Sequence, residues 1–245
     1  MKKNGSQIAV EALEQIGVKY TFGIPGTHTT ELYDALAKSD NITPILVAHE
    51  GGGSFMADAV SRTSGSIGCL TIVPAAGLTH ALSGIGEAYL DGIPMLVIVG
   101  GIRRDTGKHY QLHQMDMLPI ARGVTKAQYL IESHDTIADT IYKAYQTAIS
   151  GEPGPVFIEF PVEIMMFSKD VERVQAYNLP LLKPTPDEAA INRAVEILVT
   201  AKNPMMYLGW GARGAQEYSL KIAEKLNAPV SVTLQGKSVF PNNHP

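Results

Sequence analysis

The run Ile45-Leu46-Val47-Ala48-His49-Glu50, followed by Gly51-Gly52-Gly53, sets a carboxyl group between an apolar strand and a glycine-led helix. A side chain at such a corner projects from the C-terminal edge of a sheet, which is where open α/β folds bind ligands. The glycines leave room for a flat ring to approach the backbone. Two influences act on a carboxyl placed there: the helix N-terminus favours the anion, and apolar neighbours favour the neutral acid. A group so balanced can trade a proton with a ring nitrogen. Taken alone, Glu50 serves as a helix cap as readily as in a site. Pro25-Gly26 is an ordinary β-turn when read by itself, although a fixed dihedral and a missing side chain also let main chain reach a ligand. Cys69, inside Ile67-Gly68-Cys69-Leu70-Thr71-Ile72-Val73, reads as a core residue, because nothing nearby in sequence would stabilise a thiolate.

The elements that must position these groups alternate along the chain. Amphipathic stretches of helical length are interleaved with short Val- and Ile-rich runs, a pattern that means crossover units and a parallel sheet. Helices are expected around Ile8 to Val18, around Leu32 to Leu36, from Glu50 to about Arg62 and from His134 to about Ile149. Strands are expected at Tyr20–Ile24, Ile45–Ala48, Ile67–Val73, Met95–Val99, Val124–Tyr129 and Val156–Glu159. These strands are nearly continuously apolar, as when helices cover both faces of the sheet. Between Val162 and Pro186 the periodicity lapses and Pro180, Pro184 and Pro186 accumulate, so residues 164–186 read as a linker. Beyond it, Asp187 caps a helix to about Thr200, and Met205–Leu208, Ala215–Leu226 and Val230–Leu234 read as strand, helix and strand. Four elements do not complete a doubly wound sheet, so a fragment or a short natural chain is expected. Gly209-Trp210-Gly211-Ala212-Arg213-Gly214 fits a dinucleotide-binding pattern in context. Its acidic partner is missing, since Val230–Leu234 run into Gln235-Gly236-Lys237, and a nicotinamide site is not expected.

Composition narrows the function classes. With 245 residues there is enough for one large domain or one domain and part of another. The net charge of −4, from 20 basic and 24 acidic residues, leaves no positive surplus for a phosphate backbone or an anionic membrane. Neither nucleic acid nor membrane is an expected partner, and no stretch is long enough to span a bilayer. The start, with Glu11 and Glu14 at helical spacing, is unlike a secretory signal, and a single cysteine cannot form an intrachain disulfide; a cytoplasmic setting fits.

Several segments together resemble the acetolactate-synthase-like thiamine-diphosphate enzymes. They are Phe22-Gly23-Ile24-Pro25-Gly26, His49-Glu50 with its glycines, Ala88-Tyr89-Leu90-Asp91-Gly92-Ile93-Pro94, and Gly151-Glu152-Pro153-Gly154-Pro155-Val156, in the family's order and spacing. The resemblance covers Gly5 to Glu163 strongly and Asp187 to Pro245 more loosely. It implies a thiamine-diphosphate-binding fold of the pyrimidine type over residues 1–163, and an incomplete, Rossmann-like central domain over 187–245. In that family the glutamate hydrogen-bonds the aminopyrimidine and favours the tautomer that activates the thiazolium carbon for attack on a carbonyl. Glu50 matches it position for position. The resemblance also assigns Pro25, Gly26, Ala76 and His80 to the cofactor's surroundings.

Some positions depart from the family's pattern. Pro74-Ala75-Ala76-Gly77 and Leu78-Thr79-His80 stand where synthases of this type read Ser-Gly-Pro-Gly and Ala-Thr-Asn, and Leu112-His113-Gln114 stand where they read Phe-Gln-Glu. His113 and Gln114 are thus candidates for polarising or protonating a substrate carbonyl or intermediate. Arg103-Arg104-Asp105 opens a polar segment that reads as an active-site loop, a subunit contact or a plain solvated loop. The resemblance further implies thiamine diphosphate with Mg2+, whose ligands belong to a Gly-Asp-Gly segment that this sequence lacks. FAD or another nucleotide occurs in the central domain of some members. The assembly it implies is a homodimer or homotetramer with the active site at the subunit interface. The expected activity is a lyase or synthase making or breaking a C–C bond beside a carbonyl, of a 2-oxo acid, as carboligase or decarboxylase, with residues 1–245 inactive by themselves. The alternatives are a partner-dependent subunit of a split decarboxylase and a nucleotide-binding oxidoreductase.

Overall fold

A computed structural model describes residues 2–171, 173–178 and 185–244. The chain divides between residues 182 and 183 into two compact units. The first runs β1 (Lys2–Asn4), α1 (Gly5–Gln15), β2 (Tyr20–Gly23), α2 (Thr30–Leu36), β3 (Thr43–Leu46), α3 (Glu50–Thr63), β4 (Gly68–Ile72), α4 (Ala76–Leu90), β5 (Met95–Gly101), α5 (Met117–Arg122), β6 (Ala127–Leu130), α6 (Ile137–Ile149), β7 (Pro155–Pro161), α7 (Val162–Met166) and β8 (Ser168–Asp170). Six strands form one sheet in the order β3-β2-β4-β5-β7-β6, and every pairing in it is parallel.

Burial explains why the strands read as unbroken apolar runs. Along β4, β5 and β7, Cys69, Leu96, Ile98, Val156, Ile158 and Phe160 enter one core cluster with Leu13 of α1 and Ile141 of α6. Their alternates Leu70, Ile72, Val97, Val99 and Phe157 are equally buried but outside that cluster, on the opposite face. There α3 closes the other side, with Gly53 packed against Val47 and Leu70. Each such side chain contributes about 1.5–3 kcal/mol when fully buried, so the central strands are the least negotiable part of the fold. Cys69 is fully buried, and burial pushes its thiol up to about 12.

Local chemistry sets several element ends. Asn4 and Gln7 form a capping box at the start of α1, with Gln7 N–H donating to Asn4 Oδ1 at 2.9 Å and Asn4 N–H to Gln7 Oε1 at 3.0 Å. Arg62 near the end of α3 holds Asp58 and Asp91 at 2.7 Å each, bracing α3 to the turn after α4. The helix α4 has no counterpart among the expected elements: Gly77, Gly84 and Gly86 dilute its helical signal, and Gly84 is where α3 crosses closely over it.

The segment expected as linker is partly ordered on the first unit. Strand β8 pairs antiparallel with β1, Val174 is buried in the core, and Tyr142 donates to the Gln175 carbonyl at 2.6 Å while stacking edge-on against Tyr177. These residues lack helical or strand periodicity because they pack through single aromatic and apolar anchors. Pro180 and Pro184, which carried the linker signal, lie outside the described residues.

The second unit contains α8 (Glu188–Thr200), β9 (Met206–Leu208), α9 (Gln216–Leu226) and β10 (Val230–Val232), with β9 and β10 parallel. Asp187 caps α8 as expected, accepting from Ala190 N–H at 3.1 Å. The glycine motif after β9 folds as a short helical turn at Trp210–Ala212, with Arg213 over the Trp210 ring, and α9 begins only at Gln216. No helix among the described residues is long and apolar enough to cross a membrane.

Candidate active site

The β3 edge strand delivers Glu50. Val47 N–H donates to the Gly23 carbonyl at 3.1 Å, extending the β2–β3 pairing, and the chain then turns so that Glu50 becomes the first residue of α3. His49 is the cap: its Nδ1 accepts from Gly51 N–H at 3.0 Å. Glu50 is only 7 % exposed. Its Oε2 lies 3.1 Å from His80 Nδ1 on α4, and the His80 ring stacks on His49 with centroids 4.8 Å apart at 28°. No described residue hydrogen-bonds Glu50 Oε1. A buried carboxylate with one oxygen held by a half-exposed histidine and the other without a protein donor can exchange a proton or hydrogen bond with a ligand ring.

Glycines bring the other walls close. A Cβ on Gly77 would fall 3.7 Å from Glu50 Oε1 and 2.9 Å from Val73 Cγ2, and one on Gly26 would fall 2.6 Å from Val73 Cγ1. Val73 is therefore gripped by Gly26 and Gly77, which ties the loop after β2 to the N-terminus of α4. Gly26 is also fixed from within: its carbonyl accepts from Thr29 N–H at 2.8 Å and from Thr30 Oγ1 at 3.0 Å. Ala75, entering α4, has φ +55°, a conformation that costs a non-glycine residue on the order of 1–3 kcal/mol. Beneath them the Tyr33 hydroxyl donates to the Thr71 carbonyl at 2.7 Å and accepts from Thr71 Oγ1 at 3.0 Å. Burial pushes that phenol up to about 12 despite the Thr71 hydrogen bond, with Cys69 and Glu50 adding in the same direction.

Of the residues singled out in the sequence, Glu50, His80, Gly26 and the Ala76–Gly77 corner converge through these contacts, with Pro25 on the exposed side of the same loop. His113 lies in the loop after β5 and pairs with His28, Nδ1 to Nδ1 at 3.2 Å. Gln114 is turned onto its own loop, with Nε2 3.1 Å from His109 Nδ1 and Oε1 accepting from Tyr110 N–H. Arg104 binds Glu159, and Arg103 binds Asp105 at 2.6 Å and lies over the Phe167 ring. A cleft of about 400 Å³ opens between His28, Arg103, Tyr110, Leu112 and Val162. A larger cavity of about 850 Å³, between Ala223, Val230 and Phe240 of the second unit, contains none of these groups. Sequence reading missed His28, Tyr33 and the capping role of His49. Only His28 left a signal, two residues after Pro25-Gly26 at a strand's C-terminal end.

Residues 3–120 match the model of the thiamine pyrophosphate enzyme N-terminal TPP binding domain, and residues 191–245 match that of the central domain. The chain is 33 % identical over 249 residues to the acetolactate synthase large subunit of Haemophilus influenzae, which covers 99 % of this chain and 44 % of that protein. It is 33 % identical over 247 residues to the acetolactate synthase isozyme 3 large subunit of Escherichia coli (98 % and 43 %). It is 31 % identical over 244 residues to the chloroplastic acetolactate synthase of Arabidopsis thaliana (98 % and 36 %). The chain thus spans less than half the length of these relatives. With two domain matches in the family's order and a buried, partly unpaired carboxylate at the sheet edge, the chain belongs to the thiamine pyrophosphate enzyme family.

Proposed function

We propose that residues 1–245 are the N-terminal portion of a thiamine-diphosphate-dependent enzyme that makes or breaks a C–C bond next to the carbonyl of a 2-oxo acid. In this reading residues 1–163 form the pyrimidine-binding domain, 164–186 the connection and 187–245 part of the central domain. The observation that carries the proposal is Glu50: a carboxylate buried at the C-terminal sheet edge, bonded on one oxygen only. Bound there, the cofactor would supply an electron sink for a carbanion beside the former carbonyl.

The chain's own residues have distinct tasks. Glu50 holds or accepts a proton at a pyrimidine ring nitrogen. His80 fixes the orientation of Glu50 through Oε2, and His49 fixes His80 by stacking and the start of α3 by capping. Gly26 and Gly77 keep main chain close to the cofactor ring, with Pro25 and Ala76 beside them. His113 and Gln114 belong to the substrate side. The diphosphate and its Mg2+ are held by residues outside this segment, from a second subunit of a homodimer or homotetramer, so residues 1–245 alone turn nothing over. A nucleotide in the central domain is not part of this proposal, because the glycine motif forms a short turn and not the start of a helix.

The test is titration of the full-length protein with thiamine diphosphate and Mg2+, with Glu50→Gln alongside. The variant should bind the cofactor more weakly and lose at least about a hundredfold in turnover, in the range of general acid–base contributions. Turnover equal to the parent's would sink the proposal.

A further inference from the structure

The loops after β2 and β5 bring two histidines together. His28 and His113 face each other through Nδ1 at 3.2 Å, with ring centroids 5.1 Å apart and tilted by 59°. Two backbone features serve this meeting. A Cβ on Gly100 would fall 2.3 Å from the His28 carbonyl oxygen, so only glycine lets the loop settle against β5. His113 has φ +63°, a left-handed conformation uncommon outside glycine, which turns its ring back toward His28. Of the pair, His28 lines the cleft with Arg103, Tyr110 and Leu112.

An Nδ1-to-Nδ1 hydrogen bond needs a proton on one nitrogen and a bare lone pair on the other. When His113 donates, the proton of neutral His28 sits on Nε2 and remains free to donate elsewhere. We propose that His28 is a catalytic residue, donating a hydrogen bond as neutral imidazole to a substrate carbonyl or carboxylate oxygen in this cleft, and that His113 is the positioning residue that sets its tautomer. This rests on the function proposed above, and it shifts the substrate contact from His113 to His28. No proton leaves His28, and the donor stabilises negative charge as it builds on oxygen. Neutrality is supported by burial and by the neighbouring His113, which both lower the His28 pKa. The other charged or titratable groups at the cleft are Arg103, held by Asp105 and within electrostatic reach of Glu163, and Tyr110; Val162 of α7 adds only apolar surface.

Two measurements test this. In the present chain labelled with ¹⁵N-histidine, His28 should be the Nε2–H neutral tautomer at neutral pH. The His113→Leu variant should spread it over both tautomers, and His113→Asn, which keeps a donor near Nδ1, should preserve it. A majority Nδ1–H tautomer for His28, or no response to His113→Leu, overturns the proposal whatever the enzyme assay shows. In the full-length protein with thiamine diphosphate and Mg2+, 2-oxo acids of about three to six carbons serve as probes. His28→Phe should lower kcat on the order of 10²–10³-fold, as for loss of an oxyanion donor. Cofactor affinity should stay within about threefold, and His28→Gln should restore much of the rate. A His28→Phe enzyme as fast as the parent, with Glu50→Gln still inactive, removes this inference and leaves the function standing. A parent that consumes none of the probes removes both.

Discussion

Gly84→Ala probes the helix crossing that holds Glu50 and His80 together. Gly84 is buried on α4, and a Cβ there would lie 2.3 Å from Ser54 Oγ and 2.8 Å from both Ser54 Cβ and Phe55 N on α3. An ordinary contact begins near 3.4 Å, so α3 and α4 must separate by roughly 1 Å. Forcing a methyl group into a packed contact costs about 1–3 kcal/mol. Alanine is also the better helix former by about 1 kcal/mol, which would dominate if the position were roomy. The sign therefore decides the matter. Net destabilisation of up to about 2 kcal/mol should lower Tm by up to about 8 °C for a chain of this size, followed by far-UV circular dichroism. In a Ser54→Gly background the two Ser54 contacts are gone and only Phe55 N at 2.8 Å still obstructs, so the same Gly84→Ala change should cost less than in the parent. A Tm for Gly84→Ala at or above the parent's, in the unmodified background, would refute the close crossing. Because Glu50 begins α3 and His80 lies on α4, the substitution should also weaken the 3.1 Å contact between them, visible as a changed His80 imidazole resonance.

Two further outcomes are expected. Cys69 is fully buried with its thiol raised to about 12, so it should resist a disulfide reagent in the native protein and react at once after denaturation; native-state labelling on the same timescale would contradict the core assignment. The lowered pKa of His28 means that the unfolded chain binds its proton more readily than the folded one. Its contribution to stability is full above the unfolded value of about 6.5 and is lost as pH falls through the lower folded value. Tm should therefore fall between about pH 7 and pH 5 by less in His28→Phe than in the parent, and equal falls in both would count against the burial of that ring.

The sequence by itself determined the layered parallel sheet and the position of Glu50. Strands such as Met95–Gly101 must bury both faces, and that requirement shows as uninterrupted apolar runs. A carboxylate between the β3 run and three glycines was equally readable, since strand end, cap and helix start are local matters. What the sequence could not supply were meetings between distant loops. His80 is 30 residues from Glu50 and His28 is 85 from His113, and nothing local marks either pair. Those meetings depend on the strand order, which places the end of β4 beside β2 and β5, and on glycines that allow close approach. The same holds for α4: its glycines weakened the local helical signal, and its packing on α3 supplied the missing stability. Tertiary structure thus turned a lone carboxylate into one of two side-chain pairs, Glu50 with His80 and His28 with His113.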